Sequence, residues 1–193
     1  VTDALHDQFV EALCARLANA PVGHALDPNT QIGPIVDAGQ LQKDLDWIET
    51  AKREGATLAF GGETLKTDTE GYFLAPTLFT DTHNAMEINR EEMFGPIACV
   101  IRVKDADEAL EVANDTRFGL TAGIITESLS AANTFRRQAR FGCTMVNLPT
   151  AGTDYHVPFG GRGESSYGPR EQGQYAREFY TRVKTSYIRT GEG

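Results

Sequence analysis

Leu5, Phe9, Leu13 and Leu17 recur every four residues and predict an amphipathic helix over 3–20 with these side chains turned inward. Thr2 stands as its candidate cap, and Pro21 ends it. Residues 21–34 are rich in Gly, Pro, Asn and Asp and read as a loop. A second helix begins after Asp37, with Gln40 placed as its capping-box partner. Leu41, Leu45, Ile48 and Ala51 form its inner face, and Gly55 is its stop. Residues 57–60 read as a short strand, Gly61-Gly62 as a turn and 63–75 as an exposed connection. The apolar run 72–79 is strand-like and broken by Pro76.

From residue 97 the pattern becomes regular. Residues 97–103 form an apolar strand, followed by a helix opened by Asp105 and Glu108 with Ala109, Val112 and Ala113 inward. Residues 120–126 are the next strand. Ser128 caps a helix carrying Leu129, Ala132, Phe135 and Ala139, which Gly142 ends, and 143–147 is a third strand. Strand-helix-strand-helix-strand at this spacing predicts parallel pairing with right-handed crossovers. The fold class is therefore α/β, an open, mostly parallel sheet with helices on both faces. In such sheets ligands are met beyond the C-terminal ends of the strands. That directs attention to the long Gly/Pro-rich loop 148–170. Residues 172–180 resume as a helix. Residues 181–189 alternate as a terminal strand with neither face strongly apolar, which suits pairing along a sheet edge.

Composition narrows the chemistry. With 193 residues, 40% of them hydrophobic, the chain is long enough for a substantial core, and no apolar run approaches the length of a membrane span. A net charge of −9 argues against nucleic-acid and anionic-membrane partners. Cys14, Cys99 and Cys143 lie far apart with no C-x-x-C pair, and the four His show no ligand spacing, so no metal is expected. Three thiols in mostly apolar surroundings suggest a cytoplasmic setting. Cys143 begins a strand between apolar residues with no His nearby in sequence. It reads as a structural thiol rather than a nucleophile.

The densest chemical signal is Glu91-Glu92-Met93-Phe94-Gly95-Pro96, directly before the apolar run at 97. It puts a carboxylate and a flat ring at one end of a strand, which suits a ligand bearing hydroxyls and an aromatic ring. Further landmarks are Asp7-Gln8-Phe9-Val10, Gln31-Ile32-Gly33-Pro34 and the run Gly71 to Thr77 (G-Y-F-L-A-P-T). Asn114 to Leu120 (N-D-T-R-F-G-L), Pro158-Phe159-Gly160-Gly161 and Arg170-Glu171-Gln172-Gly173 complete the series. In this order they resemble the C-terminal part of the catalytic domain of the aldehyde dehydrogenase superfamily, over essentially the whole chain. Residues 166–173 are similar to the branch that oxidises 2-oxoglutarate semialdehyde (2,5-dioxopentanoate). The family's usual G-G-x-K-x-S-G is replaced after Gly161 by Arg162-Gly163-Glu164-Ser165-Ser166. The Lys is missing, and Pro169 looks like an insertion.

The resemblance implies NAD or NADP as cofactor, with Glu92 holding the nicotinamide ribose hydroxyls and Phe94 beside the nicotinamide. It implies a substrate-tunnel role for Phe159. The loop itself offers Asn147, Thr150 and Arg162 as candidates for substrate selection, Arg162 either pairing with a substrate carboxylate or standing as a surface Arg without a partner. Thr153, Tyr155 and His156 are further loop candidates. The family's chemistry is attack by a Cys thiolate on a small aldehyde, hydride loss from the thiohemiacetal, and release of the acid by a Glu-activated water. Its G-Q-x-C and E-L-G-G motifs are not in these residues. No catalytic residue is therefore assigned in this chain, and the isolated fragment is expected to be inactive. Val1 occupies the place of an initiator Met, which suggests processing, design or a piece of a longer polypeptide. By the same resemblance residues 1–180 form one portion of the catalytic domain. Residues 181–193 supply an oligomerisation strand and tail of a homo-oligomer, dimer or tetramer. A second reading is a non-catalytic assembly or regulatory module. An open reading frame continuing upstream through G-Q-x-C discriminates in favour of the enzyme.

Overall fold

A computed structural model describes residues 1–191. The chain divides into two compact units, Val1–Asp115 and the part from Thr116 onward. Both mix helices with open sheets, so the α/β class holds.

The first unit contains α1 (Asp3–Ala18), α2 (Ala38–Glu54), β1 (Thr57–Phe60), β2 (Thr64–Leu65), β3 (Phe73–Leu74), β4 (Thr77–Thr82), β5 (Ile97–Ile101) and α3 (Ala106–Asn114). β4 is central, antiparallel to β1 and parallel to β5. Ile48 and Ala51 of α2 pack with Leu74, Phe79, Met86 and Ile88 into the core. Ile48 and Phe79 are almost wholly buried, each worth roughly 1.5–3 kcal/mol of transfer free energy. α2 starts as expected, Asp37 Oδ1 accepting from the Gln40 backbone N–H at 2.8 Å. It ends on Gly55, whose φ of 95° only glycine adopts without strain. The Gln40 side chain does not complete a capping box; its Nε2 donates to Asp44 Oδ1 at 2.8 Å. In α3 the Asp105 side chain accepts from Glu108 N as read, and Glu108 in turn accepts from Lys104 N.

Two expectations fail here for physical reasons. In α1, Leu13 and Leu17 are half-buried, but Leu5 and Phe9 are 56% and 44% exposed. A row spaced by four advances 400° against a 360° turn, so it walks around the helix and off the buried face. The buried stripe is His6, Val10, Leu13, Cys14 and Leu17. Thr2 precedes α1 without a side-chain cap and instead bridges to Val103. The second failure concerns β5, which spacing paired with the next strand in sequence. Its outer edge carries the chain start: Val1 N donates to Ile101 O at 2.8 Å, Val103 N to Val1 O at 3.0 Å and Asp3 N to Val103 O at 2.7 Å. Arg102 pairs with Asp3 and Asp7, fastening α1 beside it.

The second unit holds β6 (Thr121–Ile124), α4 (Leu129–Gln138), β7 (Cys143–Val146) and α5 (Tyr175–Tyr180). β6 and β7 pair in parallel, as a strand-helix-strand unit requires. Ser128 Oγ accepts from Ala131 N at 3.2 Å, capping α4. Ala132, Phe135 and Ala139 are buried, but Leu129, first after the cap, is 76% exposed. α4 stops at Ala139 rather than Gly142. Gly142 instead allows close packing: a Cβ there would lie 1.8 Å from Gly160 O. Residues 181–191 carry no helix or ladder among the described residues, and Val183, Tyr187 and Ile188 are exposed. The last two residues of the 181–193 segment lie outside the described residues.

Candidate functional site

Glu92 and Phe94 share one turn at the head of β5 in the first unit. Phe94 is 71% exposed, although an aromatic before a Gly-Pro turn ordinarily plugs a core. The Glu92 carboxylate is exposed too and makes no hydrogen bond or ion pair among the described residues. An acceptor without a partner among the described residues and an exposed ring therefore stand two residues apart on one turn, a polarity that suits a ribose-nicotinamide unit. Both residues fit that group.

The turn is held on several sides. Gly95 N donates to Met93 O at 2.6 Å, Ile97 N to Gly95 O at 2.8 Å, and Thr77 N of β4 to Pro96 O at 2.8 Å. Upstream, Arg90 Nη1 donates to Asp115 O at 2.6 Å and Nη2 to Asp115 Oδ2 at 2.7 Å; Asn84 Nδ2 reaches the same Oδ2 at 3.1 Å. Arg90, then Asn84, hold the Asp115 carboxyl below its usual range. The Glu54 carboxylate, at the end of α2, accepts from Glu87 N at 2.7 Å and satisfies the free N-terminal amide of the short 3₁₀ turn Glu87–Asn89.

Beneath the turn lies Asp44 of α2, wholly buried, which sequence reasoning missed. A Cβ on Gly95 would lie 2.4 Å from Asp44 Oδ2. Among the described residues Oδ2 has no hydrogen-bond partner, and burial pushes the Asp44 carboxyl above its usual range against the opposing bond from Gln40. The signal was present in the chain. Asp44 is three residues from Leu41 and four from Ile48, so the inner stripe of α2 runs through a charged residue. Arg90 and Glu54 were missed as well; their partners are too far away in sequence for periodicity to find.

The second unit carries the other candidates. Asn147 follows β7 with φ of 56°, and its amide is bound on both sides: Oδ1 accepts from Thr126 N at 2.8 Å and Nδ2 donates to Thr126 O at 2.9 Å. It latches the chain after β7 to the chain after β6. Thr150 is exposed, its methyl lying over Gly123. Phe159 is half-buried and exchanges backbone bonds with Glu171 at 2.8 and 2.7 Å, which brings the P-F-G-G and R-E-Q-G segments together. Arg162 is exposed; its backbone N donates to Gly119 O at 2.9 Å, and its guanidinium makes no ion pair among the described residues. A cavity of about 400 Å³ runs between β7 and the following loop, lined by Cys143, Met145, Leu148, Thr153 and Val157 among others. It includes Thr153 but not Asn147, Thr150, Phe159 or Arg162.

Cys143 is half-buried, with Sγ 3.9 Å from Gly160 O. The Cys99 thiol is pushed up to about 11, first by burial and then by Glu54. Among the described residues no group of three or more His, Cys, Asp or Glu could hold a metal, and no helix is long and apolar enough to cross a membrane.

Comparison with known proteins supplies the context. The sequence profile of the aldehyde dehydrogenase family matches residues 1–186. The alpha-ketoglutaric semialdehyde dehydrogenase of Bacillus subtilis is 37% identical over 191 residues, covering 98% of this chain and 39% of its own length. A betaine aldehyde dehydrogenase of Brucella anthropi is 42% identical over 190 residues, covering 97% and 39%. Among solved structures, the indole-3-acetaldehyde dehydrogenase of P. syringae, in complex with NAD+ and IAA, superposes with a TM-score of 0.91 at 36% identity, covering 98% of this chain and 38% of that one. The Staphylococcus aureus betaine aldehyde dehydrogenase in complex with NAD+ gives 0.88 at 30% identity, with 93% and 36% covered. The chain thus spans about two fifths of the length of the curated relatives it matches, 39% for the Bacillus and the Brucella enzyme alike.

Proposed function

Because this chain belongs to the aldehyde dehydrogenase family, matched over residues 1–186, we infer that it is the C-terminal catalytic-domain portion of an NAD(P)-dependent enzyme oxidising an aldehyde to a carboxylic acid. The observation that carries this reading is the exposed Glu92 carboxylate beside the exposed Phe94 ring on a braced turn. Bound NAD or NADP supplies the hydride acceptor. Glu92 orients it through charge-assisted hydrogen bonds to ribose hydroxyls, and Phe94 limits the tilt of the nicotinamide by packing against it. Correct placement of reacting groups is worth several kcal/mol of barrier, so residues that do no bond chemistry still set the rate.

The thiolate nucleophile and the general base come from the remainder of the enzyme, consistent with a chain that spans 39% of its relatives' length. In this reading the aldehyde pocket takes its walls from Phe159 and the loop candidates Asn147, Thr150 and Arg162, none of which lines the cavity between β7 and the following loop. The substrate we favour is 2-oxoglutarate semialdehyde. Its carboxylate needs a cation, and the Arg162 guanidinium has no ion-pair partner among the described residues. The semialdehyde dehydrogenase relatives, 37% and 42% identical, are in keeping with that choice, while betaine aldehyde dehydrogenases match to a similar degree, 38% and 42%. The enzyme acts as a cytoplasmic homo-oligomer, dimer or tetramer.

The test is Glu92→Gln in the full-length enzyme. The amide keeps the shape but loses the charged hydrogen bonds, so single-turnover hydride transfer slows by about tenfold or more while aldehyde KM moves little. An unchanged hydride step removes Glu92 from the cofactor site.

A further inference from the structure

Asp44 is a buried carboxyl group for which the proposed reaction has no use. A Cβ on Gly95 would meet its Oδ2 at 2.4 Å, Cγ at 2.5 Å and Oδ1 at 2.7 Å, so the whole planar group faces the Gly95 Cα. Only glycine permits that approach. Gln40 fixes Oδ1 at 2.8 Å from within the same helix, and Oδ2 is buried without a partner. On the far side of Gly95, Pro96 is tied to β4 through Thr77 N at 2.8 Å. The downstream end of the turn therefore cannot shift. The height of residues 92–94 above the helix is set by two contacts, Met93 packed against the core that α2 shares and Gly95 against the Asp44 carboxyl.

We propose that Asp44 is a positioning residue: its carboxyl group is the floor on which Gly95 rests, and this contact sets where Glu92 and Phe94 meet the nicotinamide. The proposal rests on the nicotinamide reading of those two residues. An isoleucine or valine would fill the same space with a rounded surface. A carboxyl is flat and thin, and it lets the Gly95 backbone come closer. Phe94 is the next residue before Gly95, so a loss of the floor displaces its ring directly.

The experiment uses the full-length enzyme, with single-turnover hydride transfer, the KM of the aldehyde and the equilibrium Kd of the cofactor from quenching of protein fluorescence as readouts; each single variant raises that Kd and the double variant restores it. Asp44→Ala lowers the floor and Gly95→Ala raises the turn; each slows hydride transfer by about 10- to 100-fold, as an ångström of misplacement does, with aldehyde KM within about threefold. In the double variant Asp44→Ala/Gly95→Ala the added methyl fills the vacated space, and the rate recovers to within about fivefold of the parent. A double variant no faster than the slower single overturns the proposal. Should a single variant fail to fold, Asp44→Asn decides. It keeps the planar shape and retains the hydride step within about threefold, and a tenfold loss overturns the floor as the cause. Glu92→Gln measured alongside separates two failures. If it is slow while Asp44→Ala runs at the parent rate, only the role of Asp44 falls. If it runs at the parent rate, the nicotinamide reading falls and the proposal with it.

Discussion

Replacing Asp44 by Asn stabilises the protein at neutral pH, and the gain depends on pH in a defined sense. Asp44 is wholly buried, with one hydrogen bond from Gln40 at 2.8 Å and nothing on Oδ2. Burial raises its carboxyl above the ordinary 3.8, so between that value and the raised one the folded state binds more protons than the unfolded state. Stability then falls as pH rises through this window and is flat above it. A ceiling on the effect follows from protonation: at pH 7 the group can always take up a proton, which costs about 4 kcal/mol against a reference of 3.8. A buried acceptor without a partner costs about 1–3 kcal/mol, inside that ceiling. Asn keeps the bond from Gln40 and discards the charge, leaving a neutral amide with its own smaller penalty. The expected gain is about 1–2 kcal/mol at pH 7, closing toward zero as pH falls to about 4. The single tryptophan, Trp47, lies on α2 beside the site, so its fluorescence reports urea unfolding of both proteins over about pH 4–8. An Asn variant less stable than the parent at neutral pH, or a difference that does not vary with pH, refutes the reasoning.

Gly142→Ala drives a methyl to within 1.8 Å of Gly160 O and is expected to cost about 3 kcal/mol. Gly152→Ala meets no atom and costs only the strain of its φ of 85°, about 1 kcal/mol, and thermal melting of the pair measures the difference. Cys99, raised to about 11, is almost entirely thiol at about pH 8 and alkylates far more slowly in the folded protein than in urea. Peptide mapping after iodoacetamide checks this; equal rates in the two states contradict the burial. On the proposed oligomer, deleting residues 181–193 from the full-length enzyme is expected to weaken the dimer, since Val183, Tyr187 and Ile188 are exposed and suited to pairing along a partner edge. Sedimentation at micromolar concentration tests it, and an unaltered dimer makes the tail a frayed terminus.

The parts of the fold legible in the chain were those written in local contacts. Asp37, Asp105 and Ser128 cap the helices they were expected to cap, because a capping side chain and its amide lie three residues apart. The apolar runs became β4, β5, β6 and β7 within a residue or two at most ends. What failed required knowledge of a distant neighbour. Nothing near β5 says that Val1–Asp3 will occupy its edge, and nothing in α1 fixes which side of the Leu row turns inward. The Glu92-Phe94 turn was legible through its motif. Its supports are not: Asp44 interrupts the apolar inner face of α2, and the spacing of apolar residues carries no mark of a buried carboxyl.

Besides the apolar packing of Ile48 and Ala51 on Met86 and Ile88, α2 meets the segment that precedes β5 through two carboxylates, Glu54 at the amide of Glu87 and Asp44 at Gly95. The two helix residues are ten positions apart, which in an α-helix is about 15 Å of rise and a fixed rotation. Inserting or deleting one residue between them rotates one grip by about 100° away from its target. Length variation among descendants of this sequence is therefore barred from 44–54, while the mostly exposed residues 66–71 can grow or shrink freely.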